Sequence, residues 1–450
     1  MKTNNNKTNL TTNIRQIARK LSEIFDISKP NKIYPTTTEP DYLATAYQLD
    51  NQVEEELAFI ECNKDLYKKQ FFVDNEGAND DYSTVCLTNV SSLCSTDSME
   101  NDALKKSMLF DPDKFNIISI LGSGTYGNVF LATYENGSKE YKDRKRYAVK
   151  KLSKNNINKN NIKQVMDEKN ILLEMDNPFV LRLHGTCQTN DELCLITELV
   201  ECGELFTAIY EDEKLSHESC VFYSACIILA LDHIHSKGVI FRDLKPENIM
   251  IDSLGYPRIV DFGLAKHLPY LEICDDGTTR KKTHCMTLCG TPEYFAPEII
   301  FNDGYNQMVD VWAFGVIMYE MIIRRNPFSN SNPNDMTQLF TNIAQVKKNG
   351  ILLPKAVDKQ SDGFPNARDL ITQLLSGDPK KRLGNEHELK NILKHPYFSS
   401  LSVDENAIYN RTFKPPCLQY KCIGDPLIDN YVASLTEEQY TGDQSIFENF

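Results

Sequence analysis

The chain has no surplus of positive charge. Its 49 Lys and Arg are outnumbered by 63 Asp and Glu, which leaves a net charge of −14. Phosphate surfaces are held by dense cations, so bulk attachment to nucleic acid or an anionic membrane is not expected. No apolar run reads as a membrane span, so no transmembrane segment is expected. The N-terminus lacks the apolar core of a secretory signal, and Lys2 rather than glycine follows Met1, which argues against N-myristoylation. The 13 cysteines show no metal-ligand spacing. They read as reduced thiols of an intracellular protein, cytoplasmic with nuclear entry open. Internal repeats are absent.

What is present is ordinary globular material. Of 450 residues, 41% are apolar and 25% charged, enough for one large or two to three ordinary domains. Residues 1 to about 110 stand apart. "MKTNNNKTNLTTN" is Asn/Thr-rich and expected to be disordered. Ile14, Ile17, Leu21, Ile24 and Phe25 then recur at helical spacing, predicting one amphipathic helix. It packs on the main domain, docks a partner or a membrane, or belongs to a transit peptide. Residues 26–100 suggest no fold.

From Phe115 the pattern sharpens. "FNIISILGSGTYGNVFLATY" is β-rich around a glycine cluster, and "RYAVKKL" reads as another strand. "IKQVMDEKNILLEM" has helical period, with Val165, Met166, Ile171 and Leu172 near one face. "CVFYSACIILALDHIHSKG" is long enough for a buried helix ending at Gly238. A strand-rich part therefore precedes a helix-rich part.

Gly122, Gly124 and Gly127 form a G-x-G-x-x-G cluster. Alone it fits a dinucleotide-binding loop or a plain hairpin. A dinucleotide loop opens a helix, whereas "VFLATY" continues as strand, which favours a hairpin folded over phosphates. Lys150 lies in the strand "YAVK"; if it faces inward it needs a partner, and Glu168 on the next helix is the candidate. "RDLKPEN" and "DFG" supply the remaining chemistry. Phosphoryl transfer needs positioning and charge neutralisation more than covalent work. Asp243 can accept a hydroxyl proton. Lys245 can steady the transferring charge. Asn248 and Asp261 are hard oxygen ligands of the kind Mg²⁺ prefers.

In order, "GSGTYGNV", "YAVK", "DEKNIL", "FRDLKPEN", "DFG", "APE" at Ala296–Glu298 and "DVWAFGVIMYE" resemble a eukaryotic protein kinase of the AGC group over roughly Phe115 to Phe450. The resemblance implies an α+β, two-lobed protein-kinase fold with a β-rich small lobe, a helical large lobe and an AGC C-terminal tail. It divides the chain into an N-terminal extension at 1–110, a kinase domain at 115–398 and a tail at 399–450. It also implies a Ser/Thr protein kinase that uses ATP and Mg²⁺, two ions being expected, and acts on protein substrates.

Residue by residue, the resemblance implies nucleotide contacts from Leu121, Gly122, Ser123, Gly124, Thr125, Tyr126, Gly127, Asn128 and Val129. Ala148, Lys150, Glu168, Glu198, Val200, Glu204 and Met250 complete that set. Asp243, Lys245, Asn248 and Asp261 are the implied catalytic residues, with Asn248 and Asp261 holding metal and Thr291 positioning Asp243. Arg382 is expected to pair with Glu298. Phe241, where many kinases carry His, is expected to stack with Phe262, Leu172 and Leu183.

"TLCGTPEYFAPEII" resembles the activation segment of the cyclic-AMP-dependent kinase catalytic subunit. It implies a phosphosite at Thr287, filled by an upstream kinase or by autophosphorylation, with Arg242 and Lys266 as its cations. Glu204, Glu247 and Glu320 would grip arginines before the target hydroxyl, and Leu288, Pro292 and Phe295 would floor an apolar site after it. Departures also count. Met286 stands where the family has a Trp that helps bind a regulatory subunit, so such a partner stays open. "YLEICDDGTTRKKTHC" is a polar insertion. Ile428 replaces an adenine-contacting Phe, and Glu437 and Glu438 fall near a tail phosphosite. "FENF" is expected to dock Phe447 and Phe450 beside the Glu168 helix.

Overall fold

The computed structural model describes residues 110–124, 127–135, 145–157, 161–211, 214–268, 270–273, 279–330, 332, 335–354, 366–385, 388–400, 405–416, 439–447 and 450. The expected helix at residues 14–25, Thr125 and Tyr126, Ile428, and Glu437 with Glu438 lie outside that set.

The described chain forms two compact units. The first is built on five antiparallel strands, β1 (Phe115–Gly124), β2 (Gly127–Tyr134), β3 (Arg146–Ser153), β4 (Leu183–Gln188) and β5 (Glu192–Thr197), in the order β1-β2-β3-β5-β4. All six residues of β5 are buried, so Leu193–Ile196 run apolar on both faces, while buried Glu192 accepts from Lys151 Nζ at 2.5 Å. Helix α1 (Ile162–Glu174) supports the sheet, burying Val165, Ile171 and Leu172, as its period predicts, with Met166 half-buried.

The C-terminal residues belong to this unit. Phe447 is fully buried among Leu152, Ile157, Val165 and Leu193, and Phe450 packs at the edge of the same cluster. Burying one Phe contributes roughly 1.5–3 kcal/mol. Gln188 Nε2 donates to the Phe447 carbonyl, and Thr186 Oγ1 and Lys169 Nζ donate to that of Phe450, each at 3.3 Å. The expected docking beside the Glu168 helix is therefore present.

The second unit is mainly helical. Helix α3 (His217–Ser236) starts at an N-cap Ser216 whose hydroxyl accepts from Ser219 N. It follows the short α2 (Leu205–Tyr210). By length and hydropathy α3 could cross a membrane, contrary to the reading that no run could. However, 78% of its apolar window is buried inside the protein, which makes it a core helix. The short α4 (Pro297–Ile300) precedes α5 (Met308–Ile323), which is buried all round apart from its last residue. Arg382 Nη1 and Nη2 clasp Glu298 at 2.7 and 3.0 Å, a fully buried bidentate pair that anchors α4 as expected.

The polar insertion is not shapeless. Tyr270–Ile273 pairs antiparallel with Thr279–Lys282, so it folds as a hairpin. The cysteine reading holds in part. Six described cysteines are free thiols, whereas Cys202 is disulfide-bonded.

Candidate active site

The first unit holds a cation in place by itself. Lys150 lies on β3 between Val129 and Leu195, and its Nζ donates to Glu168 Oε1 at 2.6 Å. Glu168 is 6% exposed, so its charge needs this partner. Ala148 shares the strand, and Thr197 Oγ1 donates to its carbonyl. Glu198 ties to Arg182 through both backbone and carboxylate, its Oε1 accepting from Arg182 N at 2.8 Å.

The glycine loop splits by reason. A Cβ on Gly127 would fall 1.8 Å from the Lys151 carbonyl oxygen, so close packing of β2 on β3 demands glycine there. A Cβ on Gly122 would meet nothing within 4 Å. Gly122 and Ser123 are exposed, and Leu121, Asn128 and Val129 are half-buried. Gly124 pairs directly with Gly127 across the hairpin. The open backbone at Gly122 is where an anionic ligand can approach closely.

The second unit carries Asp243, Lys245 and Asn248, the residues expected to be catalytic, on the stretch after β6 (Val239–Ile240). Asp243 Oδ1 accepts from Thr291 Oγ1 at 2.7 Å, and that hydroxyl accepts from Lys245 Nζ at 2.8 Å. Lys245 also lies 3.1 Å from Asp243 Oδ2. Asn248 Nδ2 donates to the Asp243 carbonyl at 2.8 Å and to Oδ2 at 3.0 Å. Because its amide nitrogen is committed, Asn248 keeps Oδ1 as a hard oxygen donor. Asp261 is exposed, in the left-handed region at φ 63°, with Oδ1 accepting from Gly263 N. Among the described residues no cluster of three or more His, Cys, Asp or Glu could cage a metal. One carboxylate and one amide oxygen suit Mg²⁺, which keeps its waters and takes substrate phosphate oxygens.

Asp310 was missed as a functional residue by the sequence reading. It is 1% exposed on α5, and its carboxylate accepts from Phe241 N and Arg242 N, each at 2.9 Å. His235 Nε2 lies 2.8 Å away. This buried carboxylate holds the backbone leading into Asp243, with Arg242 at φ 72°. The signal was there: Asp310 is one of two acids, with Glu320, in a helix that carries no other charged residue. Phe241 is 1% exposed and meets Phe262 edge-on at 5.1 Å, as expected; Leu172 and Leu183 belong to the other unit.

The activation segment is pinned at Tyr305. Its backbone pairs with Cys285, and its hydroxyl donates to the Thr287 carbonyl at 2.5 Å. Thr287 is exposed. Arg242 Nε donates to Leu264 O at 2.6 Å, while its buried Nη1 has no partner. Lys266 lies on β7 (Lys266–His267).

The expected substrate carboxylates are not alike. Glu204 stands at the N-cap position of α2 without a side-chain capping bond and forms a backbone bridge to Met250; both are half-buried, as is Glu247, and Val200 is buried nearby in sequence. Glu320 is fully buried and accepts from Tyr294 Oη at 2.9 Å and Asn326 Nδ2 at 3.1 Å. Burial pushes its carboxyl up to about 8 against those hydrogen bonds, and the nearby Glu247 charge adds to the rise. Glu320 is thus not offered to a peptide in this arrangement. Its work is to hold Tyr294 and Asn326. Pro292 and Phe295 are also buried, with Phe295 stacked on Phe340 at 6.4 Å, so only Leu288 of the apolar trio is partly open.

Residues 115–398 match the protein kinase domain family. The chain belongs to the protein kinase family. Its kinase domain is of the serine/threonine type and the AGC group. The RAC family serine/threonine-protein kinase homolog of Dictyostelium discoideum is 34% identical over 313 residues, 69% of this chain and 63% of that protein. Ribosomal protein S6 kinase alpha-3 of Mus musculus is 36% identical over 307 residues, 68% and 38% of the two chains. The RAC serine/threonine-protein kinase of Drosophila melanogaster is 38% identical over 292 residues, 64% and 43%. The matched stretch thus spans less than two thirds of each of these relatives.

Proposed function

We propose that this chain transfers the γ-phosphoryl group of Mg-ATP to serine or threonine hydroxyls of proteins, at sites preceded by arginine, and that phosphorylation of Thr287 activates it. The observation that carries the reading is the closed set of Asp243, Lys245, Asn248 and Thr291. Asp243 is held with one oxygen on Thr291 and the other on Asn248, poised to take the proton of an incoming hydroxyl. Lys245 stands beside it to balance charge on the transferred group. Asn248 and Asp261 would hold the metal, which when bound neutralises phosphate charge. Lys150, fixed by Glu168, would pair with the nucleotide phosphates.

The unpartnered Nη1 of Arg242 supports Thr287 as the phosphosite, since a phosphate there would supply the acceptor that Arg242 lacks. Glu204 and Glu247 support a preference for guanidinium over ammonium. The resemblance of "TLCGTPEYFAPE" to the cyclic-AMP-dependent kinase supports signalling of that kind, and Met286 argues against a regulatory subunit gripping at that position.

The test is a phosphorylation profile with purified protein, Mg-ATP and a positional peptide library. Selection for Arg-Arg-x-Ser/Thr followed by an apolar residue is expected. Loss of one arginine should cost about 1.5–3 kcal/mol. Selection for proline after the target hydroxyl, or for acidic residues before it, would overturn the substrate reading while leaving the kinase family in place.

A further inference from the structure

We propose that Lys154 is a positioning residue that reads the side chain of Gln444 and so fixes the register in which the C-terminal segment docks on the sheet unit. Lys154 opens the turn after β3 and is 1% exposed. An ammonium has three donors, and burying one without a partner is costly. All three are used. Nζ donates to Gln188 Oε1 at 3.1 Å, to the Thr189 carbonyl at 2.8 Å and to Gln444 Oε1 at 2.7 Å. It also stands 4.9 Å from the centre of the Phe447 ring.

Two of these oxygens belong to the β4–β5 hairpin, and the Gln188 amide that supplies one of them also gives its Nε2 to the Phe447 carbonyl. Only the third, with the Phe447 ring, comes from the segment. The buried cation is therefore complete only when Gln444 is in place. Gln444 answers with both ends of its amide, its Nε2 donating to the Asn190 carbonyl at 2.7 Å. Upstream, Tyr440 N donates to Asp191 Oδ1 at 2.7 Å. Two rings three residues apart could seat in an apolar cluster in more than one register, because hydrophobic contact is non-directional. An amide held at both ends cannot slip. The short turn Gln444–Phe447 carries the fixed amide and the buried ring together. The register matters because Phe450 then meets Lys169, the neighbour of the Glu168 that holds Lys150.

The proposal takes the kinase assignment as given, but its main readout is independent of turnover. The full chain and its point variants are compared by hydrogen exchange of residues 439–447 and 162–174, with KM for ATP as the second readout. Gln444 is exposed, so Gln444→Ala leaves the core intact. It should speed exchange of 439–447 by about tenfold, the scale of one lost hydrogen bond to a charged group, and raise KM for ATP more than it lowers kcat. Lys154→Met should do the same, and the double variant should exchange no faster than Lys154→Met alone. Gln444→Glu keeps the acceptor for the ammonium but turns an oxygen on the Asn190 carbonyl, so beside Lys154 it should exchange more slowly than Gln444→Ala and faster than wild type, and beside Met it should lose that advantage over Gln444→Ala. Unchanged exchange in Gln444→Ala, or full additivity of the two substitutions, would overturn the proposal. If Lys154→Met fails to fold, the order of exchange in Gln444→Ala and Gln444→Glu decides it.

Discussion

The Thr291 hydroxyl donates to Asp243 Oδ1 at 2.7 Å, across 48 residues of sequence. The same hydroxyl accepts from Lys245 at 2.8 Å, so one oxygen orders both the acid and the cation. Removing it should disturb alignment without removing either charge. Thr291→Ala is expected to lower kcat about tenfold to a hundredfold, the scale of one or two lost charged hydrogen bonds. KM for ATP should hardly move. Thr291→Ser should recover most of the loss, and Asp243→Asn should cost about 10²–10⁴ in kcat. Steady-state kinetics with a clean peptide measures all three, and near-normal turnover by Asp243→Asn would remove Asp243 from its role.

Thr287 is exposed, and the half-buried Arg242 has one buried guanidinium nitrogen, Nη1, without an acceptor. The active form should carry phosphate at Thr287, and Thr287→Ala should lower activity because Arg242 then stays short of an acceptor. Intact-mass and peptide mass spectrometry, read against activity, checks this. Full activity from protein shown to be unmodified at Thr287 would rule it out.

Glu320 gives a pH signature. Burial raises its carboxyl from 4.5 to about 8, so the folded state binds this proton more tightly than the unfolded chain. Its contribution to stability is complete below pH 4.5 and is lost as pH rises through about 8. Wild type should therefore lose melting temperature relative to Glu320→Gln across that window. Parallel melting curves from pH 5 to pH 8 would show that Glu320 does not titrate as its surroundings demand.

The two glycines of the β1–β2 hairpin should behave oppositely. Gly127→Ala drives a methyl into the Lys151 carbonyl and should destabilise the protein by about 1–3 kcal/mol, the cost of overpacking. Gly122→Ala meets open space and should leave the melting temperature nearly unchanged, while weakening ATP binding if phosphate approaches there. Thermal melts paired with nucleotide titration separate the two.

Sequence alone named the residues to which the proposed chemistry is assigned. Asp243, Lys245, Asn248, Asp261, Lys150 and Glu168 were legible because phosphoryl transfer tolerates few residue types, and these fall in fixed order along the chain. The strand and helix patterns were legible too, since periods of 2 and 3.6 are local properties of the backbone. Tertiary structure decided what each charge does. Glu204, Glu247 and Glu320 look alike in sequence, and only the packing of Tyr294 and Asn326 around Glu320 makes it a buried, proton-binding brace. Asp310 is one of two acids in a largely apolar helix until the fold brings Phe241 and Arg242 onto it from about 70 residues away. Gly127 belongs to a phosphate motif by sequence, yet the neighbouring strand is what forbids a side chain there. Lys154 is one more lysine until a residue 290 positions along supplies its third acceptor. Burial and long-range partners set desolvation, and desolvation decides whether a polar side chain braces, titrates or reacts.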